Sequence, residues 1–215
     1  MTHSYVTKNR DTGNANPETV TITPGAGATL LVLGILAGGV GQRAGGDPSF
    51  DGDSLTLVDK QIAHETNVEL WYLLNPSAGA ANVSVPNTGT LGLYMVASVY
   101  KASAGNHTEF DTSNKKLAIG ADPSITLTTG GDGCAIVQVL GHGNGVVPSA
   151  NNKTLLYSTD IGSFSDNHQY ELQAEAGETT FTWTAWSDDY GTVIGSFKEV
   201  ADAVTGHPWF YERKQ

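Results

Sequence analysis

Six histidines and 22 acidic side chains are the groups in this 215-residue chain able to move protons or hold a metal. His142 stands in Gly141-His-Gly-Asn-Gly145, a glycine-rich segment that lets backbone approach a ligand closely, and His64, His107 and His168 are the histidines a metal site would recruit with it. No two of them have zinc-finger or H-E-x-x-H spacing, so His142 is expected as an exposed loop residue. Asp51, Asp53 and Asp132 lie in glycine turns of the kind that hold calcium, but no EF-hand ligand series accompanies them, and turn formation is their expected role. Glycoside hydrolysis needs two carboxylates facing each other across a sheet. Glu69, Glu171 and Glu175 fall on expected strands, with Glu109 and Asp111 near one, and each reads equally well as the solvated face of its strand. A serine nucleophile lacks its Gly-x-Ser-x-Gly elbow, and Cys134, inside an apolar strand, reads as an inert buried thiol. The expectation is a protein that is not an enzyme and needs no cofactor.

Aromatic residues offer binding rather than catalysis. Trp186, Tyr190 and Tyr170 are candidates for a sugar-stacking platform, with Trp183 read as core. The segment Gly206 to Gln215 places Trp209, Phe210 and Tyr211 beside Arg213-Lys214. Three consecutive aromatics left in water would form a costly apolar patch, so they are expected to pack on the chain's own domain or on a neighbouring subunit.

The elements that must position these residues read as strands. In Val68-Glu-Leu-Trp-Tyr-Leu-Leu74 the side chains of Val68, Leu70, Tyr72 and Leu74 share one face and Trp71 and Leu73 the other, which describes a strand buried on both sides. Asn75-Pro-Ser-Ala-Gly79 supplies turn chemistry before Val83 and Val85, suggesting a hairpin at the centre of a sheet. Leu30 to Ala37 and Cys134 to Leu140 are likewise apolar on both faces, each with a glycine-rich entry and exit, as two central strands in related positions of two sheets would be. Asp51-Gly52 is the strongest two-residue hairpin signal. Thr180 to Trp186 alternates as a half-buried strand, Gly191 to Val200 gives another, and helical periodicity is confined to Glu199 to Val204. Residues 1–17 are polar and aperiodic and read as an arm, and Ser103 to Asn114 as a polar loop.

These features predict an all-β chain, an antiparallel β-sandwich of jelly-roll type with about ten to twelve strands. The expected division is an arm over 1–17, a single sandwich domain over 18–200 and a tail over 201–215. Charged residues are only 15% of the chain, against about 25% in an average domain, so Thr, Ser, Asn and Gly must keep it soluble. The net charge of −11 argues against nucleic acid and anionic membrane as partners. One cysteine excludes an intramolecular disulfide, and with no signal-like apolar run at the N-terminus the expectation is folding in a reducing cytoplasm.

Leu30 to Gly34, the hairpin Phe50 to Val58, Val68 to Pro76 with Gly79 and Val83-Ser-Val85, and Gly191 to Phe197 together resemble a β-sandwich family of tailed-phage virion proteins and related bacterial proteins. The resemblance spans Thr19 to Lys198 and rests on core and turn residues. It implies a capsid decoration or head-fibre subunit of the virion, assembled in the host cytoplasm, self-associating and seated on the major capsid protein or other virion subunits. The rival expectation is a carbohydrate-binding module for host or surface glycans.

Overall fold

The computed structural model describes residues 2–38, 43, 45–62, 66–88, 92–120, 122–142, 148, 150–160, 165–184 and 189–202. They form β1 (Ser4–Gly13), β2 (Glu18–Ile22), β3 (Leu30–Gly38), β4 (Ser49–Phe50), β5 (Asp53–Ser54), β6 (Thr56–Ile62), β7 (Thr66–Leu74), β8 (Ala81–Val85) and β9 (Leu93–Lys101). A second run follows as β10 (Asn106–Ala118), β11 (Ser124–Thr128), β12 (Cys134–His142), β13 (Ala150–Asn151), β14 (Thr154–Asp160), β15 (Ser165–Gln173), β16 (Glu178–Thr184) and β17 (Tyr190–Ala201). All pairings are antiparallel.

The two runs have one topology. Sheet order β1-β9-β3-β7-β6 in the first is repeated as β10-β17-β12-β15-β14 in the second, and β2-β8-β4 as β11-β16-β13. Within each unit the first strand lies beside the last, and apart from the adjacent pairs β4/β5, β6/β7 and β14/β15 successive strands cross between a five-stranded sheet and a smaller one, which is jelly-roll winding. The repeat extends to single residues. Both first strands carry a bulge, between Tyr5 and Thr7 and between Phe110 and Thr112. Asn9 Nδ2 donates to the Thr21 carbonyl as Asn114 Nδ2 donates to that of Thr126. The β6/β7 bulge at Leu57/Asp59 recurs in β14/β15 at Leu155/Tyr157.

The units stack with their five-stranded sheets face to face. Leu30, Val32, Leu36, Val68, Leu70 and Tyr100 from the first meet Ala135, Val137, Val139, Leu156, Val193 and Phe197 from the second in one buried cluster. The opposite faces of the same strands close the two outer sandwiches: Leu31, Leu33, Ile35, Trp71, Met95 and Val99 against Val20, Phe50 and Val83 in the first, and Cys134, Ile136 and Ile194 against Ile125 and Phe181 in the second. This is why β3 and β12 are apolar on both faces. Aromatic triads make the pseudo-twofold relation explicit. Tyr5 stacks on Tyr170 at 5.3 Å and meets Tyr100 edge-on at 6.0 Å. Phe110 stacks on Tyr72 at 5.7 Å and meets Phe197 edge-on at 5.9 Å. Each triad takes two rings from one unit and one from the other, the arrangement of an isologous dimer interface contained in a single chain.

Several expectations are corrected. The arm is strand β1 from Ser4 onward, and the polar loop around Ser103 to Asn114 is largely β10. β7 and β8 do not form a hairpin: β7 pairs with β3 and β6, and β8 with β2 and β4 in the facing sheet. Among the described residues seventeen strands stand where ten to twelve were expected, the additions being polar edge strands and two-residue strands. Helical periodicity at Glu199 gives way to β17, which continues to Ala201. The Asp51-Gly52 hairpin is present, with φ of 51° and 91°, both positive as a type I′ turn requires.

Candidate functional site

Strand direction gives the stack two unlike ends. β1, β3, β6, β10, β12 and β14 run one way, and β7, β9, β15 and β17 the other. The connections over 14–17, 39–48, 63–65, 86–92, 119–123, 143–149, 161–164 and 185–189 therefore start and finish at one end. The chain enters β1 and leaves β17 at the other end, among short turns tied to one another by main-chain bonds: Gly79 N to Pro24 O, Asn75 N to Thr29 O, Thr129 N to Gly177 O, Gly133 N to Ala174 O and Asp202 N to Gly105 O. One end is cross-tied and terminal. The other carries the longer connections, where sandwiches commonly place binding residues.

Buried polar groups concentrate beneath the loop end. In the first unit Arg43 Nη2 lies 3.0 Å from Glu69 Oε2, both side chains about 95% buried, and the Trp71 indole N–H donates to the same carboxylate at 2.8 Å. Arg43 Nη1 further donates to the Gly46 and Pro86 carbonyls, so it ties two loop-end connections to β7. Beside them Asn67 is buried with neither amide atom hydrogen-bonded. In the second unit Gln169 Nε2 and the Trp183 indole both donate to Gln138 Oε1, filling the corresponding sandwich with neutral amides.

The inner face of β15 carries Asp166 and His168 where β7 carries Val68 and Leu70. His168 Nε2 lies 2.7 Å from Asp166 Oδ1 with both side chains fully buried. The imidazole packs over Gly34 of the opposing unit, where an added Cβ would run into the ring. Asp166 Oδ2 has no hydrogen-bond partner among the described residues. Burial and this carboxylate push the Tyr94 phenol up. A buried polar pair at a place where the twin unit is apolar marks the loop-end half of the interface as chemically distinct.

The sequence candidates do not converge on one site. His142 is buried at the end of β12, paired across the ladder with Tyr190 and Ser165, and is not an exposed loop residue. His107 is exposed, its Nδ1 2.9 Å from Asp202 and Nε2 3.2 Å from Glu109, and these bonds raise its pKa. Asp51, which accepts from the Ser77 hydroxyl, and Asp53 share the β4/β5 hairpin, whereas Asp132 accepts from Ala176 N in the second unit, so the three calcium candidates are split between two turns. Among the described residues no three His, Cys, Asp or Glu side chains are grouped to hold a metal. Tyr190 is fully buried in the second sandwich with Leu140 and Trp183, while Tyr170 faces the other unit. These two rings lie on opposite faces of one sheet and cannot share a platform; Trp186, like His64, Trp209, Phe210 and Tyr211, lies outside the described residues. Glu171, with Tyr170 at the edge of an open recess, is taken by Lys153 at 2.8 Å and Thr179 at 2.6 Å. Asp111 accepts from Gly130 N, Glu109 faces His107, Glu175 is exposed in the turn after β15 and Glu69 is inside the first sandwich, so the proposed glycosidase carboxylates are distributed over both units. Cys134 is buried and its thiol is pushed up by burial, as befits an inert core residue.

At the terminal end the structure adds a residue the sequence did not single out. His3 is buried between the units, Nδ1 2.7 Å from the Gly133 carbonyl and Nε2 2.8 Å from Thr108 Oγ1. Burial lowers its pKa from 6.5, opposed by the Gly133 bond and the Glu199 charge. Above pH 6.5 both folded and unfolded chains hold this histidine neutral; as pH falls below 6.5 the unfolded chain takes the proton first and stability is lost. The melting temperature is therefore expected to fall more steeply below that pH in the natural protein than in His3→Asn, and parallel pH profiles would show that His3 carries none of the dependence.

No family model, curated protein or solved structure matches this chain.

Proposed function

We propose that this chain is a non-enzymatic structural subunit of a virion surface, a decoration or head-fibre type protein of a tailed phage, fastened by its terminal end and presenting its loop end outward. The observation that carries the reading is the polarity of the stack: β1 begins and β17 finishes at the cross-tied end, and the longer connections lie at the opposite one. Viral capsids are among the settings in which jelly rolls recur, though fold alone does not fix function. The acidic balance of the chain fits attachment through apolar and hydrogen-bonded contacts rather than charge. Its partners in this reading are further copies of itself and the major capsid protein, met in the host cytoplasm during assembly.

The segment beyond β17 supplies the apolar contact in this scheme, through Trp209, Phe210 and Tyr211. Deleting 206–215 is expected to leave the melting temperature within about 2 °C while abolishing self-association in sedimentation or binding to native particles. A truncated protein that melts far earlier yet still associates would place the three aromatics in the core and remove the attachment role.

A further inference from the structure

The pseudo-twofold axis gives every surface feature a twin, and one pair of twins differs in a telling way. Where β10 of the second unit lies over β6 of the first, Lys115 Nζ sits 2.8 Å from Asp59 Oδ1. At the matching seam, where β1 lies over β14, Arg10 takes the place of Lys115 and Tyr157 that of Asp59. The Arg10 guanidinium stacks 4.3 Å above the Tyr157 ring, and its N–H groups have no acceptor among the described residues. Beside it opens a cleft of about 230 Å³ lined by Lys8, Asn9, Arg10, Val96, Leu156 and Tyr157. None of these residues is acidic, in a chain with twice as many acidic as basic side chains.

We infer that this seam cleft binds the carboxylate of a sugar acid. The stacked guanidinium is held flat by the ring, so its fork is ready to accept a carboxylate through two parallel bonds. Lys8, held in place by donating to the Leu156 carbonyl, adds a second positive charge with ammonium protons to spare. Val96 and Leu156, both buried, close the back of the cleft, and the exposed Lys8 stem and half-buried Tyr157 ring supply its accessible carbon surface, which a bare inorganic anion would leave unused. The volume falls below the roughly 300 to 1,000 Å³ of sites for drug-sized ligands, and suits one terminal sugar rather than a bound oligosaccharide. The twin seam fills the same need internally with Asp59, so the acid is supplied by the protein on one side and from outside on the other.

The test titrates the full chain with D-glucuronic acid, following the backbone amides of Asn9 and Leu156 in the cleft wall by NMR, with glucose, acetate and inorganic phosphate in parallel. Glucuronate is expected to saturate at millimolar concentrations, about tenfold more tightly than glucose, acetate or phosphate. Arg10→Ala, and Tyr157→Asp, which rebuilds the internal carboxylate, are each expected to weaken glucuronate by about tenfold or more. Lys115→Ala, which alters the twin seam, should leave binding unchanged, and melting curves confirm that all three variants fold. No saturable glucuronate signal, equal binding by Arg10→Ala, or phosphate binding as tightly as glucuronate would each overturn the inference.

Discussion

His168→Leu is expected to destabilise the protein by about 3 to 5 kcal/mol, measured by urea denaturation. The imidazole is the partner of fully buried Asp166, 2.7 Å away, and removing it leaves that polar side chain without its partner between two apolar sheets. The twin unit shows what the sheet accepts instead, since Val68 and Leu70 occupy the equivalent positions of β7 inside the same cluster. Asp166→Val combined with His168→Leu should therefore recover the whole loss and could exceed the natural protein by about 1 to 4 kcal/mol. Gly34 keeps room for the longer side chain as it does for the ring. If the single change proves no worse than the double, the pair does not act as a coupled buried unit.

Trp71→Ala should cost about 3 to 5 kcal/mol. It empties a large volume from the first sandwich, where the indole is 6% exposed among Leu33, Ile35 and Met95, and it removes one donor from the buried Glu69 carboxylate. Trp71→Phe separates the contributions, because it keeps most of the packing and loses the N–H; a cost of about 1 to 2 kcal/mol is expected from the donor. Leu73, on the same face but only partly buried, should cost less than Trp71. Equal losses for Trp71→Ala and Leu73→Ala would mean that the sandwich interior is filled differently from the arrangement described here.

The core strands were legible in the sequence because burial on two faces writes itself as continuous apolar residues. β3, β7 and β12 are of that kind. What was not legible was the duplication, for a physical reason. Its clearest traces lie in polar strands: Tyr5-x-Thr-x-Asn-Arg10 recurs as Phe110-x-Thr-x-Asn-Lys115, and Thr21-x-Thr23-x-Gly25 as Thr126-x-Thr128-x-Gly130. β1 and β10 are sheet edges whose outward residues face water, so hydrophobic alternation is weak and they read as an arm and a loop. The turn Asn75 to Gly79 misled differently. A hairpin and an arch between facing sheets use the same glycine and proline chemistry, and only long-range pairing distinguishes them. The candidate cleft was hidden for a third reason, since Arg10 and Tyr157 are far apart in sequence and meet only because the two units stack.

Among the described residues no strand pairing crosses from one unit to the other; side chains join them, by packing and by bonds such as those of His3 and Lys8 to the Gly133 and Leu156 carbonyls. During synthesis the first unit can complete both of its sheets once Lys101 has left the ribosome, before β10 has fully emerged from the exit tunnel, since domains generally fold as units from the N-terminus. At that moment it presents Val32, Leu36, Val68, Leu70 and Tyr100 bare to solvent, the face later covered by the second half. On a polysome, neighbouring nascent chains expose the same self-complementary face, and pairing between them competes with waiting for the rest of the chain. The short link from Ala102 to Gly105 favours the correct outcome by holding the second unit at high local concentration as soon as it emerges. Slow translation later in the second half would lengthen the exposed interval, making codon usage there a determinant of yield.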